Sequence, residues 1–281
     1  MLRRRSTSEL AAPPRPTRSR TVRAIVRRDY LVTRSYRLAF LFDAVTGVVF
    51  LATYFFISET FNGVPAEGMQ GAPSYFAFAA VGAAIGAVID TSATGIAARL
   101  REEQLTGTLE MLAVQPVTSF DLCLGLVGFP FVFGLFRAAL YLIVAAVWAN
   151  LSLTGISWPG VVIVFFLSAG ALATFGITSG AFVLLFKRGA IFVGFGIYAL
   201  TLLSGAVFPI ETLPGWLEPI AKVIPLRFAF DGVRSALFEG DGWQWDALWL
   251  GVFGAVGIPL ALVAFGRALH YTKRKAALGQ Y

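Results

Sequence analysis

Residues 159–186 read PGVVIVFFLSAGALATFGITSGAFVLLF, a run without a single charged side chain. A helix rises about 1.5 Å per residue and the hydrocarbon core of a membrane is about 30 Å thick, so about 20 apolar residues cross it. This run is therefore long enough to span a membrane as a helix. A transmembrane barrel would instead show segments of about 10 residues with alternating polarity, which this run lacks.

Five further apolar runs lie on either side of this one. Hydrophobic residues make up 57% of the chain and charged residues 14%, and the mean hydropathy is +0.73. A soluble domain has about 25% charged residues, so the composition excludes a soluble fold. We therefore predict an all-α integral membrane protein with six spans, at 38–58, 74–95, 122–149, 159–186, 190–208 and 246–269. The expected domains are a disordered basic tail (1–20), one transmembrane domain (21–275) and a C-terminal tail (276–281).

The basic residues predict the orientation of these spans. Eleven arginines precede the first predicted span, whereas the loop 59–73 contains neither Lys nor Arg. Cytoplasmic loops carry the excess of positive charge in membrane proteins. We therefore predict that both termini and the loop 96–121 face the cytoplasm. The formal net charge of +7 then reflects this bias, and nucleic acid is not an expected partner.

Residues 21–37 have the pattern of an amphipathic helix. Val22, Ile25, Val26 and Tyr30 recur at helical spacing, with arginines on the rest of the helix. Such a helix lies in the headgroup plane with its basic face against anionic lipid. An alternative is that the segment simply anchors the first span.

The sequence lacks the motifs of common enzymes. It has no GxxxxGK[ST] loop for a nucleotide phosphate, no HExxH zinc motif and no recognisable Ser–His–Asp set. Cys123 is the single cysteine and His270 the single histidine, and we interpret them as packing and interfacial residues. We predict a chain that is not an enzyme and that holds no metal or cofactor of its own.

One charge lies deep in a predicted span. Arg137 is near the middle of the third span, where an unpaired charge costs at least about 2.5–3.5 kcal/mol. We therefore expect it to face the bundle or a dimer seam, with Asp90 of the second span as a candidate partner. Contact with a substrate and a purely structural role both stay open.

The charged segment REEQLTGTLEML, residues 101–112, lies between the second and third spans. A short helix after Gly107, capped by Thr108 and ending before Pro116, would offer apolar side chains and carboxylates just outside the membrane. That shape fits a docking surface for a soluble partner. An ordinary solvated loop is the alternative.

The segment REEQLTGTLEMLAVQP resembles the stretch between the second and third spans of type-2 ATP-binding-cassette (ABC) exporter permeases, where E-x-x-x-G-T-L-E-x-L-x-x-x-P is typical. FPIETLPGWLEPIAKVIPLRFAFDGVRSAL, residues 208–237, is similar to the outer region between spans five and six of that family. The resemblance covers residues from about 21 to 275. It implies a cytoplasmic coupling helix and re-entrant outer helices.

The resemblance also assigns roles to residues. The coupling residues would be Glu102, Glu103, Gly107, Thr108, Leu109 and Glu110. The outer re-entrant region would include Glu211, Pro214, Trp216, Glu218, Pro225 and Arg234. The intramembrane charges Asp90 and Arg137 are candidate site residues from the sequence itself and not from the resemblance.

Two functions remain open from the sequence. The first is the permease half of an ABC exporter in a bacterial inner membrane, paired with a second permease chain as a homodimer or, alternatively, a heterodimer. A separate nucleotide-binding subunit would bind ATP and Mg, and the cargo would be a hydrophobic or amphipathic drug, lipid or glycan. The alternative is a membrane assembly or signalling module that uses the same fold without transport.

Overall fold

The structure of the protein is a computed structural model that describes residues 23, 26–28, 30–31, 37–60, 68–106, 119–148, 155–186 and 189–274. All regular elements within these ranges are helical, which confirms the predicted all-α class. The helices are α1 (Arg37–Thr60), α2 (Tyr75–Ile89), α3 (Gly95–Leu105), α4 (Ser119–Trp148), α5 (Trp158–Leu185), α6 (Gly189–Leu203), α7 (Glu218–Val223), α8 (Pro225–Arg234) and α9 (Trp243–Arg274). Two π-helical segments, Asp90–Thr94 and Ser235–Glu239, and a 3₁₀ turn, Ile210–Thr212, complete the set.

Four helical stretches in the described part of the chain are long and apolar enough to cross a membrane. They are Tyr75–Glu102, Val127–Trp148, Trp158–Leu185 and Trp243–Thr272. Two shorter apolar helices, Val45–Thr60 and Gly189–Leu203, correspond to the first and fifth predicted spans. The chain is thus a multi-pass membrane protein, and the count of six spans stays a prediction.

The connections between helices gather at two ends of the bundle. At the end that we call distal, Ser157 N donates to Ala236 O at 3.0 Å, and Gln70 Nε2 donates to Asp231 Oδ1 at 2.6 Å. These bonds join residues 68–74, 155–157 and 204–242. At the opposite, proximal end, Thr272 Oγ1 donates to Leu184 O at 3.3 Å. The described connections therefore alternate between two ends, as expected for successive crossings.

Helix ends differ from the predicted span limits for identifiable reasons. The second predicted span ends at residue 95, but helical structure continues through a π segment and α3 to Leu105. Residues 101–105 are good helix formers, so the helix extends beyond the apolar run. Conversely, α6 ends at Leu203, before the predicted limit of 208, because Gly205 adopts φ 83°. Glycine takes this left-handed conformation readily and commonly ends helices in that way.

Small residues allow the central helices to pack closely. Helix α9 packs along α5 more extensively than any other pair of described helices. A Cβ placed on Gly257 of α9 would lie only 2.8 Å from Thr174 Cγ2 of α5, closer than real side chains pack. Close approach of helices at small residues is the usual basis of association in membranes. This α5–α9 pair forms the framework on which the distal helices rest.

Helix α8 is buried among the distal ends of longer helices. It packs against α2, α5 and α9, and its side chains Phe230 and Val233 are fully buried. Pro225 begins the helix, a position where its missing N–H costs nothing. The short helices α7 and α8 therefore lie where the outer region was expected, and their re-entry into a membrane stays a prediction.

The described N-terminal residues 23, 26–28 and 30–31 are helical. A Cβ placed on Gly128 of α4 would meet Val26 Cγ2 at 3.0 Å, so this segment contacts the proximal part of α4. Arg23, Arg27 and Arg28 are exposed. The position of this segment and its exposed arginines agree with a helix at the proximal surface. Its contact with lipid stays a prediction.

Candidate functional site

The predicted coupling segment is described only at its start. Glu102 is exposed in the last turn of α3, and its carbonyl oxygen accepts from Thr106 N at 2.9 Å and Thr106 Oγ1 at 2.8 Å. The backbone of Glu103 is helical, but its side chain is outside what the structure describes. Gly107, Thr108, Leu109 and Glu110 also lie outside the described residues. Their coupling role stays a prediction.

The structure places Arg137 beside Asp90, the partner that the sequence suggested. Arg137 Nη1 lies 3.6 Å from Asp90 Oδ2, and Arg137 Nη2 donates to Tyr141 OH at 3.1 Å. Asp90 begins the π segment Asp90–Thr94, and π bulges inside helices are frequent at functional sites. The two charges offset one another within the bundle.

A cavity of about 590 Å³ opens between α1, α2, α4 and α6. Its walls are mainly apolar and aromatic, with Phe50, Tyr54 and Tyr198 among them, and Asp90 and Arg137 also line it. Asp90 follows Tyr75 by 15 positions, about 22 Å of helix rise, so the charged pair lies far from the distal end. A pocket of this size with few polar groups is the usual form of a small-molecule site.

Glycines shape this cavity in two ways. Gly86 and Gly194 line it, and a Cβ placed on either would meet no heavy atom within 4 Å. At Gly82, one helical turn from Gly86, a Cβ would collide with the carbonyl oxygen of Ala206. Gly82 therefore permits the close contact that closes the distal side of the cavity, whereas Gly86 and Gly194 border empty space.

The side chains of the two charged residues differ in their overall exposure. The Asp90 side chain is 63% exposed, whereas that of Arg137 is 16% exposed. The Arg137 guanidinium carbon also lies 5.8 Å from the centre of the Tyr141 ring, at cation–π range.

The predicted outer residues are dispersed over the distal end. Trp216 is 72% exposed, and Glu211 and Pro214 are also exposed. Glu218 pairs with Lys222 at 2.5 Å, four residues further along α7. These four residues form a surface around the distal helices, and they do not converge on a common site.

Arg234, unlike these exposed residues, is buried inside the distal end. It is 1% exposed, and its Nη2 donates to Phe78 O at 3.2 Å and to Ala206 O at 3.1 Å. Its guanidinium carbon lies 3.5 Å from the centre of the Phe78 ring. Burial lowers the pKa of Arg234 to about 9, although nearby Asp231 opposes the shift. The group is still charged at neutral pH, and it links α8 to α2 and to the segment after α6.

Sequence reasoning missed a second distal group centred on Asp231. Its carboxylate accepts from Gln70 Nε2 at 2.6 Å and from Arg227 Nε at 2.6 Å. Arg227 and Asp231 have the spacing of an ion pair on one helix face, so the Arg227–Asp231 contact could have been predicted from the sequence. Gln70 is 161 positions from Asp231, and no local pattern connects them. The cavity tyrosines Tyr54, Tyr141 and Tyr198 were missed for the same reason.

Two comparisons with known proteins agree on the family of this chain. Residues 19–238 match the ABC-2 type transporter family. The chain is also similar to the probable multidrug ABC transporter permease YbhR of Escherichia coli, in strain K12 and in O157:H7, with 27% identity over 174 residues. That alignment covers 59% of this chain and 44% of the relative. The chain thus matches less than half the length of these relatives.

Proposed function

This chain belongs to the ABC-2 type transporter family, and from that premise we propose that it is the permease subunit of an ATP-driven exporter of hydrophobic or amphipathic cargo. The observation that carries the proposal is the family match over residues 19–238. The cavity between α1, α2, α4 and α6 supports it, because its volume of about 590 Å³ suits a small amphipathic molecule.

ATP would be bound and hydrolysed by a separate nucleotide-binding subunit. The chain has no phosphate-cradling loop of the GxxxxGK[ST] type, so the energy must reach it from outside. The segment 101–112 follows the long second helix on the proximal side. A push on that segment would be transmitted along α3 and α2 to the cavity wall, because a continuous helical stretch joins them.

A second permease chain would complete the pathway. The cavity is bordered by α1 and α6, whose large apolar side chains Phe42, Val49, Phe192 and Phe195 are exposed. Exposed apolar faces at this scale meet either lipid or another protein. We propose that a second copy covers part of this side, which makes the assembly a homodimer of permeases with two ATP-binding subunits.

The complex would lie in a bacterial inner membrane with six spans per permease and with both termini in the cytoplasm. The arginines before the first span support that orientation. The name of the E. coli relative, a probable multidrug permease, agrees with drug-like amphipathic cargo. Export, rather than import, rests on the resemblance of residues 101–116 and 208–237 to exporter permeases.

The proposal is tested with inside-out membrane vesicles from cells that express this chain with its co-purifying ATP-binding subunit. ATP should drive accumulation of a fluorescent amphipathic dye, and a hydrolysis-deficient partner should abolish it. Vesicles that contain the permease alone provide the control. A stable complex that hydrolyses ATP without moving any of a panel of amphipathic dyes, lipids and glycolipids would favour the non-transporting assembly or signalling module instead.

A further inference from the structure

Residues 68–72, which precede α2, lie across the distal end, and we call this segment the distal strap. Gln70 in the strap has φ 52°, and it is the one residue other than glycine with a positive φ in the described part of the chain. A residue with a side chain adopts this left-handed conformation at a cost in free energy, which only Asn and Asp commonly offset with local hydrogen bonds. The backbone of Gln70 disfavours the strap as it stands, so contacts elsewhere must hold it.

A hydrogen bond between distant parts of the chain holds Gln70 in place. Its Nε2 donates to Asp231 Oδ1 of α8 at 2.6 Å, across 161 positions of sequence. Asp231 is 8% exposed, and its other carboxylate oxygen accepts from Arg227 Nε at 2.6 Å. Hydrogen bonds to a charged acceptor are among the stronger ones, and more so where water is largely excluded. The bond to Asp231 therefore offsets the backbone cost at Gln70 and fixes the strap to α8.

Close packing within the strap adds to this attachment. Met69 and Ala72 are buried in one cluster with Phe78 of α2. A Cβ placed on Gly71 would meet Glu239 Cγ at 2.8 Å, closer than real side chains pack. The strap thus joins the start of α2 to α8 and to the π-helical segment that follows α8.

The strap is held less firmly than Arg234, which also links α2 to α8. Gln70 Oε1 is buried without a hydrogen-bond partner among the described residues, and a buried acceptor left unpaired raises the free energy of that state. If the strap leaves α8, this oxygen reaches water, and Asp231 still has Arg227 as its partner. Removal of Arg234 would instead leave two buried carbonyl oxygens without a donor. Of the two links, the strap is therefore the one that can open reversibly.

We propose that the distal strap is a releasable latch on the exit of the cavity, with the Gln70–Asp231 bond as its contact. The inference rests on the proposed transport function and adds a gating step to it. Gly82 of α2 contacts Ala206 and closes the distal side of the cavity, and the strap fixes the distal end of that same helix. Release of Gln70 would let α2 move away from Ala206 and open a path for cargo. The other end of this helical stretch leads through α3 to the segment 101–112, from which the push would come.

Opening of the strap can be measured on the full-length chain in nanodiscs, whose two faces are both accessible to reagents. The reporter is Met69→Cys in a Cys123→Ala background, and the readout is its rate of reaction with a polar maleimide, because Met69 is 7% exposed in the closed strap. Gln70→Met has a similar length but cannot donate, so we expect it to raise this rate about tenfold or more, as follows from loss of a hydrogen bond to a charged acceptor. Gln244→Met is the matched control, since Gln244 donates to Asp241 at 3.0 Å in an exposed contact three positions away.

A second variant guards against a folding defect in Gln70→Met. Gln70→Gly also removes the bond to Asp231, but glycine adopts φ 52° without strain. It should raise the reaction rate as well, while size-exclusion chromatography shows that every variant stays monodisperse.

A covalent cross-link closes the same latch permanently. Gln70→Cys with Asp231→Cys, in the Cys123→Ala background, is placed in the inside-out vesicles together with the ATP-binding subunit. A short membrane-permeant bis-methanethiosulfonate should bridge the two thiols and stop ATP-driven dye accumulation, and a reductant should restore it. Gln244→Cys with Asp241→Cys is the control, because a bridge within one local contact should leave accumulation unchanged.

The outcomes separate the latch from the transport function. Faster reaction of the reporter in both Gln70 variants, together with export that stops on cross-linking and returns on reduction, supports the inference. Equal rates in Gln70→Met and Gln244→Met, or full export with the cysteines at positions 70 and 231 cross-linked, would overturn the latch and leave the transport function intact. Absence of dye movement in wild-type vesicles, with the faster reaction still present, would instead overturn the proposed function and its exit step, and leave only a releasable contact.

Discussion

Arg234 joins three parts of the distal end through one guanidinium. It donates to the carbonyl oxygens of Phe78 and Ala206 and lies over the Phe78 ring. A hydrogen bond from a charged donor contributes about 1.5–3 kcal/mol, and a buried carbonyl left without its donor is costly. The planar fork of arginine can satisfy two acceptors while it stacks on a ring, which lysine cannot do. The side chain is therefore a structural link, and its charge is secondary.

We predict that Arg234→Met lowers the free energy of unfolding by about 2–4 kcal/mol, and that Arg234→Lys recovers only part of the loss. The reason is that two buried carbonyl oxygens lose their donor. The measurement is the apparent melting temperature of the detergent-solubilised protein, followed by size-exclusion chromatography. Lys222→Met is the control, because its pair with Glu218 is half-exposed and exposed pairs contribute about 1 kcal/mol or less. Equal stability of Arg234→Met and Lys222→Met would show that the buried link contributes nothing.

At the scale of helices, glycine positions on α2 have opposite structural roles. Gly82 allows Ala206 to approach the helix, whereas Gly86 borders the open cavity. We predict that Gly82→Ala reduces the yield of monodisperse protein and lowers the melting temperature, because the new methyl group collides with a backbone carbonyl. Gly86→Ala should be neutral or stabilising by up to about 1 kcal/mol, since alanine favours helix over glycine. Similar melting temperatures for the two variants would contradict the close contact at Gly82.

Some features of the helices could be predicted because each depends on a single property of the sequence. Long apolar runs identified the crossing helices, and the scarcity of charges led from Arg137 to Asp90, which the structure places 3.6 Å apart. The ends of α3 and α6 were not predictable from hydropathy, because a polar helix can extend past the apolar run and a glycine can end a helix early. The cavity needed the arrangement of four helices, and the partners of Arg234 are backbone carbonyls 28 and 156 positions away.

The proposed coupling to an ATP-binding subunit would involve the whole assembly, and it provides a test of the role of the segment 101–112. We predict that Glu110→Lys changes the free energy of unfolding of the isolated permease by about 1 kcal/mol or less, since the segment is predicted to lie outside the membrane and surface substitutions usually have small effects. It should weaken co-purification of the ATP-binding subunit or uncouple ATP hydrolysis from cargo, because reversing one charge of an interfacial pair costs roughly 2–5 kcal/mol when the pair is buried. Glu59→Lys is the control, an exposed acid in the last turn of α1 to which no role is assigned. If Glu110→Lys assembles and shows cargo-stimulated hydrolysis as wild type does, the segment 101–112 is an ordinary solvated loop and not a docking element.

Whether the whole molecule crosses the membrane six times depends on the two shorter apolar helices, Val45–Thr60 within α1 and Gly189–Leu203, which is α6. Helix α6 contains 15 residues and rises about 22 Å, less than the hydrocarbon thickness of about 30 Å, so a crossing there needs the non-helical residues 204–209 as well. Six spans with a cytoplasmic N-terminus, as predicted, would place Pro73, Gly155 and Trp216 outside the cell and Leu105 and Phe186 inside.

We therefore predict that single cysteines at Pro73, Gly155 and Trp216, in a Cys123→Ala background, react with an impermeant maleimide in intact cells, and that cysteines at Leu105 and Phe186 react only after permeabilisation. These five positions are exposed. Pro73 is preferred to neighbouring Ser74 because the Ser74 hydroxyl accepts from Ala77 N at 3.2 Å and caps α2. Labelling of Phe186 and Trp216 from the same side would show that α6 does not cross the membrane. Labelling of Leu105 from outside, with Pro73 protected, would instead reverse the orientation and remove the coupling segment from the compartment that contains ATP.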